Sequence, residues 1–219
     1  MDLVRHEASV LLLQGEDTLS FLDGLSTNHV DGPCTTVFTT RAAKIIDVCE
    51  VIPIGNRVAL VGHADNKSKL TAHLAERILG QGITIADITE LNDVFFDLGD
   101  SPLPPDATVH RSFFGKMVVV SIKHNLQPTW TIEQWNEHRI AQVIPYHGFE
   151  ITAARHPLAC GLGELVHPQK GCYIGQEVLV RMRSRGKQGH HLVVRANPAE
   201  NVTTPGSDNS LCIVPVSYT

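Results

Sequence analysis

Lys170, Gly171, Cys172, Tyr173, Ile174, Gly175, Gln176 and Glu177 run consecutively, and Arg181 follows four residues after Glu177. The run sets an ammonium, a thiol, a phenol, an amide and a carboxylate around two glycines. Glycine adopts positive φ and lets other groups approach its backbone. Gly171 and Gly175 therefore predict a tight turn on either side of Cys172 and Tyr173. Only the thiolate of cysteine is an efficient nucleophile, and nearby cations favour it. Lys170 and Arg181 are the cations in reach of Cys172 along the chain. A strand start with a buried cysteine fits the same residues, because free cysteine is among the most buried residue types. Local chemistry leaves both open.

Arg181, Arg183, Arg185 and Lys187 alternate. On a strand they would share one face. Arginine holds carboxylates through paired hydrogen bonds, so the row reads as an anion-binding ladder or as a solvated strand face. Asp47, Asp97 and Glu177 are the carboxylates available to a ring with paired N–H donors. Trp130, Trp135 and Tyr173 could stack on a flat ring, although the place of Trp135 in a helical pattern suits a core. Twelve histidines are spread from His6 to His191 without a helical i, i+4 pair and its acidic partner. No metal site is expected from them. No Ser-His-Asp pattern, phosphate-cradling glycine loop or dinucleotide fingerprint is present.

The elements that must position these groups follow from periodicity. Ser9 to Leu13 is a short apolar run ended by Gly15 and predicts a buried strand. Asp17 is placed to cap a helix carrying Leu19, Leu22 and Leu25, closed by Ser26-Thr27-Asn28. Strands are predicted over 37–40, 45–54, 57–61, 83–88, 94–98 and 117–122. Leu70, Leu74 and Ile78 recur every four residues and predict a helix over 65–79, stopped by Gly80 and Gly82. Pro102, Pro104 and Pro105 make 101–106 a loop. Thr131 followed by Gln134 fits a capping box, opening a helix that would bury Ile132, Trp135, Ile140 and Val143. His190 to Arg195 and Leu211 to Val216 suit two or three closing strands. Short strands alternating with two clear helices indicate an α+β fold.

The chain has 219 residues, is 42% hydrophobic and carries a net charge of -5, an ordinary globular balance. That charge argues against a general nucleic-acid binder. Residues 170–187 nevertheless hold five cations against Glu177, a local +4, which leaves -9 for the remainder. A single basic site on an acidic body suits a small anion better than a long polyanion. Cys34, Cys49, Cys160, Cys172 and Cys212 are odd in number and scattered. They predict no disulfide framework, a reducing compartment and no resident four-thiolate cluster. The apolar run from Val10 to Leu13 is too short for a signal or a membrane span, so a soluble cytoplasmic protein is expected.

Lys170 to Glu177, then Arg181 and Arg185-Gly186, resembles the signature of the YgfZ-type folate-binding proteins, relatives of the glycine-cleavage T-protein that help assemble or maintain iron–sulfur clusters. Phe21 to Asn28 resembles the family's N-terminal helix and Thr-Asn turn. Arg139-Ile140, Ile144-Pro145 and Gly148 to Glu150 resemble the segment leading back to the signature. The resemblance covers roughly residues 1–190. It implies a folate-binding first domain from 1–49 and 136–186, a ferredoxin-like inserted domain over 50–135, and a shortened β segment at 187–219 where relatives carry a barrel. It implies tetrahydrofolate or a one-carbon derivative as cofactor, with Cys172 as the functional thiol supported by Lys170. The folate-binding residues would be Tyr173, Gly175, Gln176, Glu177, Arg181, Asn28 and Asp47, with the cationic row reading a glutamate tail. The partners implied are iron–sulfur assembly factors or cluster-containing client enzymes, through which tRNA modification would be affected. A folate-dependent transferase of the aminomethyltransferase type is the alternative, although T-protein relatives have phenylalanine in the signature and lack the cysteine. A family member that binds a protein partner without folate is the second alternative. Two departures are local: Val143 stands where the family usually has glycine, and Arg41-Ala42-Ala43-Lys44 replaces a glycine-bearing turn.

Overall fold

Alternation along the second strand decides the architecture. Leu11 and Leu13 pack with Leu22, Leu60, Leu70 and Leu74, while Val10 and Leu12 pack with Val37, Val61, Phe96 and Trp135. Successive side chains of a strand point to opposite faces, so this strand is covered on both sides and lies inside a sheet. The computed structural model describes residues 1–184, 186 and 188–216.

Among the described residues twelve strands form three antiparallel sheets. β1 (Leu3–His6) runs along the edge of a four-stranded sheet. β2 (Ala8–Gln14), β3 (Cys34–Thr39), β4 (Ile45–Ile54), β5 (Arg57–His63) and β6 (Thr84–Asp87) form a five-stranded sheet in the order β3-β4-β5-β2-β6. β7 (Asn92–Asp97), β8 (Thr108–Ser112) and β9 (Gly115–Ser121) complete the first sheet in the order β1-β7-β9-β8. β10 (His190–Ala196), β11 (Val202–Thr204) and β12 (Asn209–Pro215) pair as β10-β12-β11. Helices α1 (Thr18–Leu25) and α2 (Lys67–Ala75) cover one face of the five-stranded sheet through Leu22, Leu25, Leu70 and Leu74. Its other face meets the four-stranded sheet around Phe96, Met117 and Trp135, the last on α3 (Ile132–Gln142). The fourth helix, α4 (Gln176–Ser184), packs Leu179 on Tyr173 and Ala43.

Several predicted elements change in detail. The Asp17 side chain makes no capping bond, and the Thr18 hydroxyl donates to Gly15 O instead, at 2.8 Å. The helix predicted to reach residue 79 stops at Ala75, leaving Ile78 only half-buried beyond its end. Thr131 and Gln134 do form the capping box. Trp135 and Ile140 are buried, but Ile132 and Val143 are about half exposed. β1 and β8 are additions to the predicted strands, since LVRH and TVHRS carry too many polar residues to read as strands. The Pro102–Pro105 loop brings Leu103 onto Leu3, Phe95 and Val118, covering the outer face of the four-stranded sheet. A domain boundary between residues 49 and 50 falls in mid-strand of β4, which pairs with β3 on one side and β5 on the other.

Val143 has φ 57° and Ala43 has φ 58°. These are left-handed conformations that suit glycine and that a β-branched residue adopts only under strain.

Candidate functional site

The 170–177 segment is pinned at both ends. The Lys170 side chain is buried, and its ammonium donates to Asp23 O at 2.6 Å, Asn28 O at 2.7 Å, Ser26 O at 2.9 Å and Asp23 Oδ1 at 3.0 Å. Those acceptors are the end of α1 and the turn after it, where carbonyls lack helical partners and a cation is favoured. Burial lowers the Lys170 ammonium's proton affinity, and the Asp23 partner opposes that. Five residues on, Gly175 has φ 86°, and a Cβ there would stand 2.7 Å from Thr39 Oγ1 and from Thr40 O. Glycine is required at that point on both counts. Gly171 has neither a positive φ nor a crowded Cβ position, so only one of the two predicted glycine turns is made. Between the anchors, Cys172 is exposed, whereas Cys34 is half-buried and Cys49, Cys160 and Cys212 are buried. Burial raises the thiol of Cys34 to about 11 and that of Cys160 to about 12.

The cations that the sequence sets beside Cys172 have other partners. Lys170 serves α1, and Arg181 donates to Glu177 Oε1 at 2.6 Å in an exposed i, i+4 pair. The row of alternating cations is not a strand. Arg181 and Arg183 lie on α4, where two residues turn the helix by about 200°, and Arg183 is tied to Val166 O and Gly163 O. Arg185 and Lys187 lie outside the described residues. Tyr173 is buried against Leu158, Val166 and Leu179, with the Lys170 ammonium 5.5 Å from its ring centre. Gln176 Nε2 reaches Gly171 O at 3.4 Å and Lys170 O at 3.5 Å, closing the loop on itself. Asn28 is a turn residue whose Nδ2 donates to Thr35 O at 2.9 Å.

Asp47 is fully buried. Its Oδ1 accepts from Val48 N and Asn66 Nδ2, both at 2.9 Å, and its Oδ2 from His63 N at 3.0 Å. Burial dominates those bonds and raises the carboxyl to about 7. Gly62 is also required beneath it, since a Cβ there would lie 2.2 Å from Asp47 Oδ2. Asp97 is held by Lys116 at 2.7 Å and by the Ser101 hydroxyl at 2.8 Å. Trp130 bonds Asp2, and Trp135 stacks on Phe96 in the core.

A second group is not visible in the sequence. Glu50 on β4 is buried, with Oε2 accepting from Thr35 Oγ1 at 2.7 Å and lying 2.9 Å from His110 Nε2, and Oε1 accepting from Ser112 Oγ at 2.7 Å. His110 and Ser112 form the floor of a cleft of about 660 Å³ walled by Phe113, Phe114 and His138, with Arg111 and Lys116 also lining it. Arg111 has no carboxylate partner among the described residues. Three bonds in series join this cleft to the Cys172 segment: Phe113 N donates to Thr35 Oγ1 at 2.8 Å, Asn28 Nδ2 donates to Thr35 O, and the Asn28 carbonyl accepts from Lys170. The signal available in the sequence is the doubled Phe113-Phe114 before Gly115, between the polar β8 and the apolar run of β9. It points to a hairpin but not to Glu50, which lies far earlier in the chain.

Among the described residues no group of three His, Cys, Asp or Glu side chains could hold a metal ion. Among the described residues no helix is long and apolar enough to cross a membrane.

No protein-family model matches the chain, and no curated protein matches it in sequence. Among solved structures it is similar to the crystal structure of glycine cleavage system aminomethyltransferase T from Bartonella henselae. The TM-score is 0.79 at 14% identity, covering 98% of this chain and 78% of that one. The likeness is one of fold. It extends over nearly the whole chain.

Proposed function

We propose that this chain is a tetrahydrofolate-binding protein that serves iron–sulfur cluster assembly or repair, with Cys172 as its functional thiol and the 110–116 cleft as the seat of the folate. The cleft carries the ligand reading. The half-buried Phe113 offers a face for a flat heteroaromatic ring, His110 and Ser112 are polar and fixed by the buried Glu50, and Arg111 is available to an anionic tail. Polar and apolar residues share the lining, and polar groups converging beside aromatic surface suit a small-molecule site. Asp47 suits the pterin less well, because its oxygens already accept three bonds from the protein. The exposure of Cys172 between two rigid anchors supports the thiol reading.

Calorimetric titration with tetrahydrofolate and its polyglutamates tests the proposal. Phe113→Ala is expected to weaken both ligands, and Arg111→Ala to weaken the polyglutamate more, with the gap closing at high salt because exposed charges are screened over about 10 Å at 0.1 M. Absence of binding at saturating folate would overturn the ligand reading and leave partner binding alone. The fold likeness favours a second reading, a folate-dependent transferase of the aminomethyltransferase type. One-carbon transfer to tetrahydrofolate that survives Cys172→Ser would favour it.

A further inference from the structure

Three imidazoles from separate parts of the chain meet in one buried place. His6 ends β1, His63 ends β5, and His147 follows Tyr146 in the corner after α3. The His63 and His147 rings stack at 4.7 Å and 16°. His6 lies 5.7 Å from His63 and 6.2 Å from His147, ring centre to ring centre, and its Nδ1 is 2.6 Å from the Tyr146 hydroxyl. Phe96, Phe114 and Trp135 pack around Tyr146 on the apolar side. His147 Nδ1 has no hydrogen-bond partner, and the nearest carboxylate oxygen, Asp47 Oδ1, stands 3.6 Å away. The junction matters to the fold: Glu7 alone separates β1 of the four-stranded sheet from β2 inside the five-stranded sheet. The nest therefore sits where the two large sheets and the 146–147 corner are joined.

Such a cluster tolerates neutral rings and resists charge. Stacked imidazoles cannot both be protonated at 4.7 Å without direct repulsion in a medium where charges are poorly screened. The surrounding groups offer little relief. From β4 come Asp47 and the buried Cys49, and from the turn after β5 come Asn66 and Asp65, the last exposed and 3.8 Å from His63 Nδ1. Glu7 lies at the solvent rim. Arg139 of α3 stands 5.4 Å from the Tyr146 ring, but its charge is paired with Glu150. Burial lowers His6 to about 3 and lowers His63 and His147 as well, and neighbouring imidazoles add repulsion at His6 and His147.

We infer that the His6–His63–His147 nest is a proton-gated latch: neutral, it clamps β1 and the 146–147 corner onto the end of β5, and on acidification it releases them while the three-stranded sheet and α1 stay folded. The sign follows from the groups named. A histidine whose proton affinity is depressed by folding contributes stability above its ordinary value near 6.5, and that stability is lost as pH falls toward the folded value. Asp47 acts the other way, since the closed state already holds its proton near pH 7 and opening would release it. Opening thus takes up as many as three protons at the imidazoles and gives back one, a net of about two. That makes the open fraction rise by as much as about 100-fold per pH unit on the steep part of the curve.

Hydrogen exchange on the intact chain at pH 7.5, 6.0 and 5.0, corrected for intrinsic chemical rates, reads this directly. Peptides spanning β1, the end of β5 and residues 144–150 are expected to open at least tenfold more at pH 5.0 than at 6.0, while β10–β12 peptides stay unchanged. His147→Gln keeps a polar side chain but removes one proton site, and is expected to flatten the pH dependence by about tenfold per unit. Should that variant not fold, ring-proton NMR of the native chain gives the same decision. Joint protonation of His6, His63 and His147 together with local opening supports the latch. Independent titration of all three near 6.5, or exchange that rises equally in every peptide, would overturn it.

Discussion

Two buried carboxylates one corner apart show how differently the same group can be kept. Glu150 accepts from Arg139 Nη1 at 2.9 Å, Tyr146 N at 3.0 Å, Thr204 Oγ1 at 2.7 Å and Thr203 Oγ1 at 2.5 Å. Asp47 accepts three bonds from neutral donors, and the nearest candidate cation is an imidazole that burial keeps neutral. Glu150 joins α3, the 146–147 corner and the three-stranded sheet in a single charge-assisted knot. It explains how the three-stranded sheet holds to the body. Asp47 lacks a full counter-charge, so burial wins and its proton stays on to about pH 7. A buried carboxylate with a guanidinium is a rivet. Asp47, which has none, is a proton store.

The largest expected effect breaks the rivet. Arg139→Met leaves Glu150 buried without its cation, a change that typically costs about 3–5 kcal/mol. For a chain of this size that corresponds to a fall in melting temperature on the order of 10 °C. Thermal melts check it, with β10–β12 expected to become the first segment to exchange its amides. A loss under about 1 kcal/mol would mean that the knot is held by apolar packing instead.

Next is Asp47→Asn, where the contrast lies in pH. A carboxyl raised by folding contributes stability below its ordinary value near 4 and loses it as pH rises through about 7. Asparagine carries no such cost. The variant is therefore expected to gain on the native chain between pH 6 and 8.5 by more than about 1 kcal/mol, because a tenfold difference in proton affinity between folded and unfolded chain is worth about 1.4 kcal/mol. Denaturant unfolding at a series of pH values measures this. A difference that stays flat with pH would show that Asp47 ionises alike in the folded and unfolded chain.

What can be read from the sequence divides along the same line. The apolar patterns of Val10–Leu13, Ile45–Ile54 and Leu70/Leu74 depend on neighbours a few residues away, and they lead to the strands and helices found. Lys170 is legible as a special residue, but its role is not. Its four acceptors lie more than 140 residues away, so a residue read as support for a thiol proves to hold the end of α1. The alternating cations mislead for a related reason. A period of two suggests a strand only if nothing else overrides it, and Val178, Leu179 and Met182 pack at helical spacing on the Tyr173 cluster. Glu50, His110 and Ser112 are illegible because the cleft brings together β4, β8 and α3, none of them adjacent in sequence. The imidazole nest is hidden in the same way. Val143 and Ala43 speak directly of structure, since both take up a left-handed backbone that suits glycine.

That correspondence gives a smaller, stabilising prediction. Val143 is about half exposed and closes α3 with φ 57°, so glycine there would lose little burial while relieving strain worth about 1–2 kcal/mol. The greater entropy of glycine in the unfolded chain offsets part of that. Val143→Gly is thus expected to stabilise by about 0.5–1 kcal/mol, read as a shift of the denaturant midpoint at constant slope. A destabilised variant would show that the Val143 side chain contributes packing at the knot beside it.

The smallest expected effect on stability belongs to Cys172→Ser, and its smallness is the point. Every other cysteine is at least half-buried, and the 170–177 segment is held by the Lys170 and Gly175 anchors, not by the thiol between them. Replacing sulfur by oxygen at an exposed position with no packing role is expected to change stability by under about 0.5 kcal/mol. The chemical effect is expected to be complete. Limiting iodoacetamide near neutral pH should label Cys172 first in the native chain and leave the serine variant almost unlabelled until it unfolds, as peptide mapping would show. If the proposed role holds, the variant should bind folate as the native chain does, because the cleft residues are untouched, yet fail to support iron–sulfur enzymes in a complementation assay. Labelling confined to Cys34 and the buried cysteines would show that the segment closes over its thiol in solution. Full complementation by the serine variant, with labelling as expected, would leave Cys172 accessible but idle and move the functional reading to the cleft alone.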